Sequence, residues 1–278
     1  MKLTNLLNLP QPIVDAVNND TYKREDGVMS ITTLLKPPRI VALENEHYDK
    51  LTQDASDRIW SLLGQVVHGI LERSETVGVV EQRLYAKIGD QKISGQVDRY
   101  FNGTLQDYKF TSAWKLKDGC PKEFEEQLNC YAFLLKTSGF IVDKIEIVGI
   151  LRDWSKMEAS RSPDYPQRQI AILDVPIWDM EETKSFLEER IKLHLEAKES
   201  LPECSDADRW AKPTKYAVMK KGTKRAVKLH DSKKSAETHA LTDDKFYVEK
   251  RPGVNTRCRF YCGVSEYCTQ YQKLESEK

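Results

Sequence analysis

The chain has 278 residues, 43 basic and 43 acidic side chains, and 40% hydrophobic residues. That is ordinary for one large or two small folded domains. Zero net charge argues against unselective coating of nucleic acid but leaves room for a local basic groove, and no window approaches the roughly 18 apolar residues of a membrane span.

The N-terminus, MKLTNLLNLPQPIVDAV, contains a Pro and an Asp and lacks an apolar h-region. It reads as no secretory signal, so the expected setting is the cytoplasm, where thiols stay reduced. Residues 1–50 read as an N-terminal arm, with Thr32-Thr33-Leu34-Leu35 before Pro37-Pro38 suggesting a short strand. From Asp57 to Arg73 apolar residues recur at 59, 63, 66, 67 and 70, a helical spacing. Strands are expected at 79–87 and 92–101, joined around Gly89-Asp90, and at 104–110 after Asn102-Gly103. A second helix runs from Glu123 to Ser138 with Gly139 as its stop. A buried strand at 143–151, a strand at 169–175 and a charged helix from Trp178 to Glu199 follow. This order predicts a mixed α/β (α+β) fold over residues 51–200, with a central mixed β-sheet flanked by helices. Residues 201–278 change character, being first basic and then cysteine-rich.

Asn-Gly is the preferred dipeptide of a two-residue hairpin turn. With Asn102-Gly103 as the turn, Asp98 stands opposite Asp107, expected as a non-hydrogen-bonded pair with Cα atoms about 4.5 Å apart. Like charges facing each other destabilise a ladder, so their presence suggests a divalent cation between them. Lys109 lies two residues past Asp107 and shares its face. Gly64 and His68 share a face of the first helix, with the glycine expected to allow close approach to the sheet. Gln127 and Tyr131 share a face of the second. Gly95, three before Asp98, is expected to leave room for a substrate backbone.

The set GQVVH, GQVD, DYK and QLNCY resembles the PD-(D/E)XK nuclease superfamily. It is most similar to the branch of RecB-type and AddB-type nuclease domains, CRISPR-adaptation nucleases and phage exonucleases. The resemblance implies a restriction-endonuclease-like core. It implies metal ligation by His68, Asp98 and Asp107 with the Tyr108 carbonyl, a catalytic lysine at Lys109, and Gln127 and Tyr131 positioning DNA and water. Glu81 is a further candidate for the site. Where the family often has Glu, this chain has Asp107. The implied activity is a Mg²⁺- or Mn²⁺-dependent DNA exonuclease acting on single-stranded DNA or DNA ends. Its setting would be phage or microbial recombination, repair or replication, with the host cytoplasm as its location if phage-encoded, and with a recombination or replication protein as a possible partner. An endonuclease and a non-catalytic DNA-binding homologue remain alternatives.

Cys258, Cys262 and Cys268 cluster near the end, and Cys204 lies upstream. Four thiolates suit a [4Fe–4S] cluster or Zn²⁺. The arrangement resembles the iron–sulfur staple of AddB-type nucleases, although the first spacing is three residues and the lone cysteine follows the nuclease motifs; zinc and a metal-free thiol cluster stay open. Cys120 and Cys130 read as core thiols. Residues 212–234 hold nine basic side chains against Asp231. With a turn at Lys221-Gly222 they read as a DNA-guiding hairpin that uses Lys212, Lys215, Lys220, Lys221, Lys224 and Arg225 on phosphate and Trp210 and Tyr216 on bases.

Overall fold

The computed structural model describes residues 1–19, 25–74 and 77–276. It is a mixed α/β protein with a central mixed sheet flanked by helices. The chain divides into two compact units, Met1–Lys36 with Thr52–Ser200 and Pro37–Leu51 with Leu201–Lys278.

The first unit is built on six strands: β1 (Val28–Ser30), β2 (Val79–Ile88), β3 (Gln91–Phe101), β4 (Thr104–Thr111), β5 (Lys144–Leu151) and β6 (Ile170–Val175). Strand β3 is the hub. Antiparallel β2 lies along one edge, from Val79 opposite Tyr100 to Ile88 opposite Gln91. The other edge is shared. Parallel β1 takes Lys92 to Ser94, and antiparallel β4 takes Arg99 to Phe101. Between them, residues 95–98 of β3 have no strand partner on that side. Parallel β5 and antiparallel β6 extend the sheet beyond β4.

Two helices matter most for the site: α1 (Ile59–Ser74) and α2 (Lys122–Thr137). Helix α2 is the crossover that parallel β4 and β5 require. Its first turn is charged, but it is buried all round from Leu128 to Leu135, and it buries Phe124, Leu128, Cys130, Tyr131, Leu134 and Leu135 among others. These pack with Ile93, Val97, Leu105, Ile145 and Ile147 of the sheet and Leu187 of the helix Met180–Glu196. Cys130 lies within this core and Cys120 packs against it. Among the described residues no helix is long and apolar enough to cross a membrane.

Three local expectations are corrected. Ile31–Leu34 is a helical turn, because the Ser30 hydroxyl accepts the Thr33 N–H as a cap. Gly64 faces open space and makes no close approach to the sheet. Gly95 makes room for the protein itself. A Cβ there would stand 2.7 Å from Tyr131 Cε1 and 2.8 Å from Leu134 Cδ1. The face of β3 at Gly95 is thus covered by α2, and no space is left there for a substrate backbone.

Gly95→Ala is therefore expected to destabilise the fold by about 1–3 kcal/mol through overpacking, measured as a lower urea midpoint at unchanged slope.

Candidate metal centre

Two tight turns set the site. Asn102 and Gly103 both have positive φ, 45° and 80°, which suits the mirror-image turn that joins twisted strands. On the other side of β3, Ile88 faces Gln91 across Gly89 and Asp90. The two registers place Glu81 and Asp107 level with Asp98, on three neighbouring strands. Three carboxylates thus stand in a row.

The row deforms the sheet. The β3–β4 ladder stops at Arg99 opposite Gln106, one pair short of the two aspartates. The expected Asp98–Asp107 ladder pair is absent, because the Asp98 carboxylate takes the Tyr108 N–H at 2.7 Å. On the β2 side the Glu81–Asp98 pair is also missing from the ladder, and Glu81 adopts φ 46°. A non-glycine residue in that region costs of order 1–3 kcal/mol and marks a site whose surroundings impose it.

His68 of α1 sits over the row. Its Nδ1 is 3.1 Å from Glu81 Oε1 and 3.5 Å from Asp98 Oδ1, and its Nε2 is 3.1 Å from the Tyr108 carbonyl. The Tyr108 carbonyl, expected as a ligand, is thus engaged by the imidazole. One ligand atom each from His68, Glu81 and Asp98 lie within 4.8 Å of one another, close enough to share an ion. With Nε2–H donated to the carbonyl, Nδ1 is the ring atom that faces the carboxylates: protonated, it donates to Glu81 Oε1, and deprotonated, it would offer its lone pair to an ion.

Asp107 is the most buried of the set, 2% exposed. Its Oδ2 lies 2.7 Å from Lys109 Nζ, yet at an angle that makes no hydrogen bond. The oxygen is ion-paired without a donor aimed at it. Lys109 spends its directed bond on Gln127 Oε1 at 3.0 Å, and Gln127 Nε2 donates to the Tyr131 hydroxyl at 2.9 Å. The lysine and the helix pair are therefore one chain.

Charge crowding shows in the protonation balance. Burial, then the neighbouring Asp107 carboxylate, push Asp98 up to about 7. The hydrogen bond to Glu81 raises His68 to about 9 against the opposing effect of burial. Both shifts favour the protonated form, through burial first at Asp98 and through the Glu81 hydrogen bond first at His68, with the neighbouring carboxylates adding to each. A metal ion would offset the same crowding of charge, and the group that the structure brings together for one is the imidazole of His68 with the carboxylates of Glu81 and Asp98; Asp107 lies outside that group.

Gln96 and Arg83 escaped the sequence reading. Gln96 Nε2 donates to Glu81 Oε2 at 2.8 Å, and Arg83 Nη2 donates to Gln96 Oε1 at 3.2 Å. Gln96 lies two residues before Asp98 and so on its face, a signal the strand period already carried.

The second unit holds the other predicted residues. Cys204, Cys258, Cys262 and Cys268 line one small pocket and are all free thiols; burial first, and neighbouring thiols after it, raise the proton affinity of Cys204, Cys258 and Cys262. Burial, then Asp208, push Cys204 up to about 12. Buried Arg39 donates to Cys268 Sγ at 3.2 Å. Among the described residues no three of these sulfurs close to within 4.8 Å of one another, whereas Zn–S bonds of about 2.3 Å pull tetrahedral sulfurs to roughly 3.8 Å apart.

The basic segment forms a hairpin, Lys215–Lys220 and Ala226–His230, with Phe246–Arg251 as a third strand. Lys212 lies on a two-residue strand before it. Lys221, Lys224 and Arg225 are exposed in the connection. Lys215 pairs with Asp231, and Lys220 lies 4.0 Å from Asp243. Tyr216 is half-buried. Trp210, with φ 50°, stays accessible beneath the Arg257 guanidinium at 4.4 Å.

No family model and no curated protein matches the chain. Among solved structures, it is similar to that of SSO0001, with 22% identity over 65% of this chain and 84% of the other and a TM-score of 0.45. It is also similar to a Eubacterium rectale protein named as a candidate exonuclease, with 13% identity over 68% and 76% of the two chains and a TM-score of 0.33.

Asp98→Asn is expected to leave the melting temperature in EDTA unchanged or higher, since it removes one of the crowded charges while keeping an acceptor for the Tyr108 N–H. It is expected to abolish the stabilisation by Mn²⁺, which for the unmutated chain is about 2.7 kcal/mol at a hundredfold excess over Kd. A thermal melt with and without Mn²⁺ measures both.

Proposed function

We propose that the chain is a metal-dependent deoxyribonuclease that hydrolyses phosphodiester bonds from DNA ends or single-stranded DNA. The observation that supports this most is the group of His68, Glu81 and Asp98, close enough to share an ion, with the buried Asp107 Oδ2 atom, which has no directed donor, on the neighbouring strand at the level of Asp98. Leaving such an atom unsatisfied costs roughly 1–3 kcal/mol or more. A site kept at that cost is a site built for a cation.

In this reading His68, Glu81, Asp98 and Asp107 hold Mg²⁺ or Mn²⁺. The bound ion would lower the pKa of a water and offset charge on the phosphoryl oxygens. Lys109 supplies a fixed positive charge at the edge of the site, where negative charge develops during the reaction. Gln127 orients the ammonium through its side-chain oxygen, and the buried Tyr131 hydroxyl fixes Gln127. In the second unit, the four cysteines hold a [4Fe–4S] cluster as a structural clip, with Zn²⁺ as the alternative. The hairpin bearing Lys220, Lys221, Lys224 and Arg225 contacts phosphate without sequence preference.

End-labelled linear DNA and closed circular DNA, incubated with Mn²⁺, separate the readings. Degradation of linear DNA alone is expected. Nicked circles would mean an endonuclease, and retarded mobility without cleavage a binding protein. Lys109→Ala and Asp107→Ala are each expected to slow cleavage by at least about 10²-fold, with DNA still bound in EDTA. Full activity in either removes the mechanism. Anaerobically purified protein is expected to be brown and to contain iron and sulfide, both lost in Cys268→Ser; stoichiometric zinc would replace the cluster.

A further inference from the structure

Helix α1 has no fully buried residue, although it carries Trp60, Leu63, Val66 and Ile70. Trp60 is 57% exposed, and Trp114, in the turn Ala113–Leu116 after β4, is 56% exposed. Trp154 and Trp178, by contrast, donate their indole N–H groups to Pro166 O and Glu125 Oε1. Exposed tryptophans are rare because a large apolar ring gains most from burial.

Both rings are held at the same end of the parallel pair β4 and β5. The Arg152 guanidinium lies 4.2 Å over Trp60, while its backbone N–H donates to Thr111 O at the end of β4. The next residue, Asp153, accepts from Ser112 Oγ and Ala113 N at 2.8 and 2.7 Å. That contact fixes the turn bearing Trp114. Trp114 is braced edge-on by Tyr165 at 5.4 Å and lies under Lys117 Nζ at 5.3 Å. The same end reaches Lys109, since the ammonium groups of Lys109 and Lys115 lie 5.1 and 4.6 Å from the one Phe124 ring.

We infer that Trp60 and Trp114, each with its own cation, form a platform that stacks unpaired bases of single-stranded nucleic acid next to Lys109. The inference rests on the nuclease reading and names its substrate class. An accessible indole offers a face on which any base stacks, and the adjacent cation meets the phosphate. Bases inside a duplex present no free face, so the platform selects unpaired strands or frayed ends. Simple apolar docking of a protein would not need a cation over each ring.

The test is equilibrium binding, in EDTA, of a fluorescent oligodeoxythymidine of about 16 nucleotides and of a blunt duplex. Trp60→Ala and Trp114→Ala are each expected to weaken single-strand binding about tenfold, with Phe at either position losing less than about threefold and duplex binding changing little. In a Trp210→Phe background, the oligonucleotide is expected to quench the remaining tryptophan fluorescence, a readout that needs no alanine variant to fold. Single-strand affinity indifferent to both alanines, equal loss with Phe and Ala, or no quenching overturns the platform. Self-association lost in the alanine variants with DNA binding intact would make this face a protein contact and overturn it too. Failure of the unmutated chain to bind any DNA would instead sink the nuclease reading itself.

Discussion

Three like charges side by side across a sheet are the constraint around which the first unit is arranged. Carboxylates on directly opposed residues stand close enough to repel, and burial removes the water that would screen them. The chain answers with directed partners. Asp98 has the Tyr108 N–H and Glu81 has Gln96 and His68, whereas Asp107 Oδ2 has the charge of the Lys109 ammonium beside it but no donor aimed at it. The sheet yields where the partners are short. The β3–β4 ladder opens, and Glu81 leaves ordinary strand geometry. Core packing on the far side holds this in place, with Tyr131 and Leu134 wedged against Gly95.

The row depends on two turns, each two residues long. A one-residue slip in either hairpin would send one carboxylate to the opposite face. Asn102-Gly103 prevents this by positive φ at both positions, and the turn is tied further by Asp143 and Lys144, whose N–H groups donate to Gly103 O. A short loop is thus a determinant of the site although it carries none of the chemistry.

Much of this was legible in the residues. Helix and strand periods located five of the six strands of the central sheet and the helices Ile59–Ser74, Lys122–Thr137 and Met180–Glu196, while Val28–Ser30 and the short elements of the first 54 residues went unread; the Asn-Gly turn put Asp98, Asp107 and Lys109 together in register. The same arithmetic around Gly89-Asp90 places Glu81 opposite Asp98, a step that needed only trust in a less typical turn. What sequence could not reach was deformation. Ideal registers predict a ladder pair at Asp98 and Asp107, because nothing in a one-dimensional pattern says that a side-chain carboxylate will take a backbone N–H. The role of Gly95 was misread for a similar reason. A missing Cβ announces a close approach, but only packing tells whether the visitor is substrate or, as here, Tyr131. The turn at Ile31–Leu34 shows the weakness of residue preference over four positions, where one capping serine outweighs two β-branched threonines.

The second unit poses a different physical problem. The buried apolar cluster around its cysteines consists of Leu43, Leu51, Val264 and Cys268. A core that small supplies little of the free energy that ordering a chain consumes. Buried Arg39 adds bonds to Leu201 O, Pro202 O and Thr269 Oγ1, but a buried guanidinium is itself costly. Burial raises the proton affinity of Cys204, Cys258 and Cys262. The metal centre proposed for the four cysteines would take the protons' place on the sulfurs and would lend this unit cross-links that its small apolar cluster does not provide.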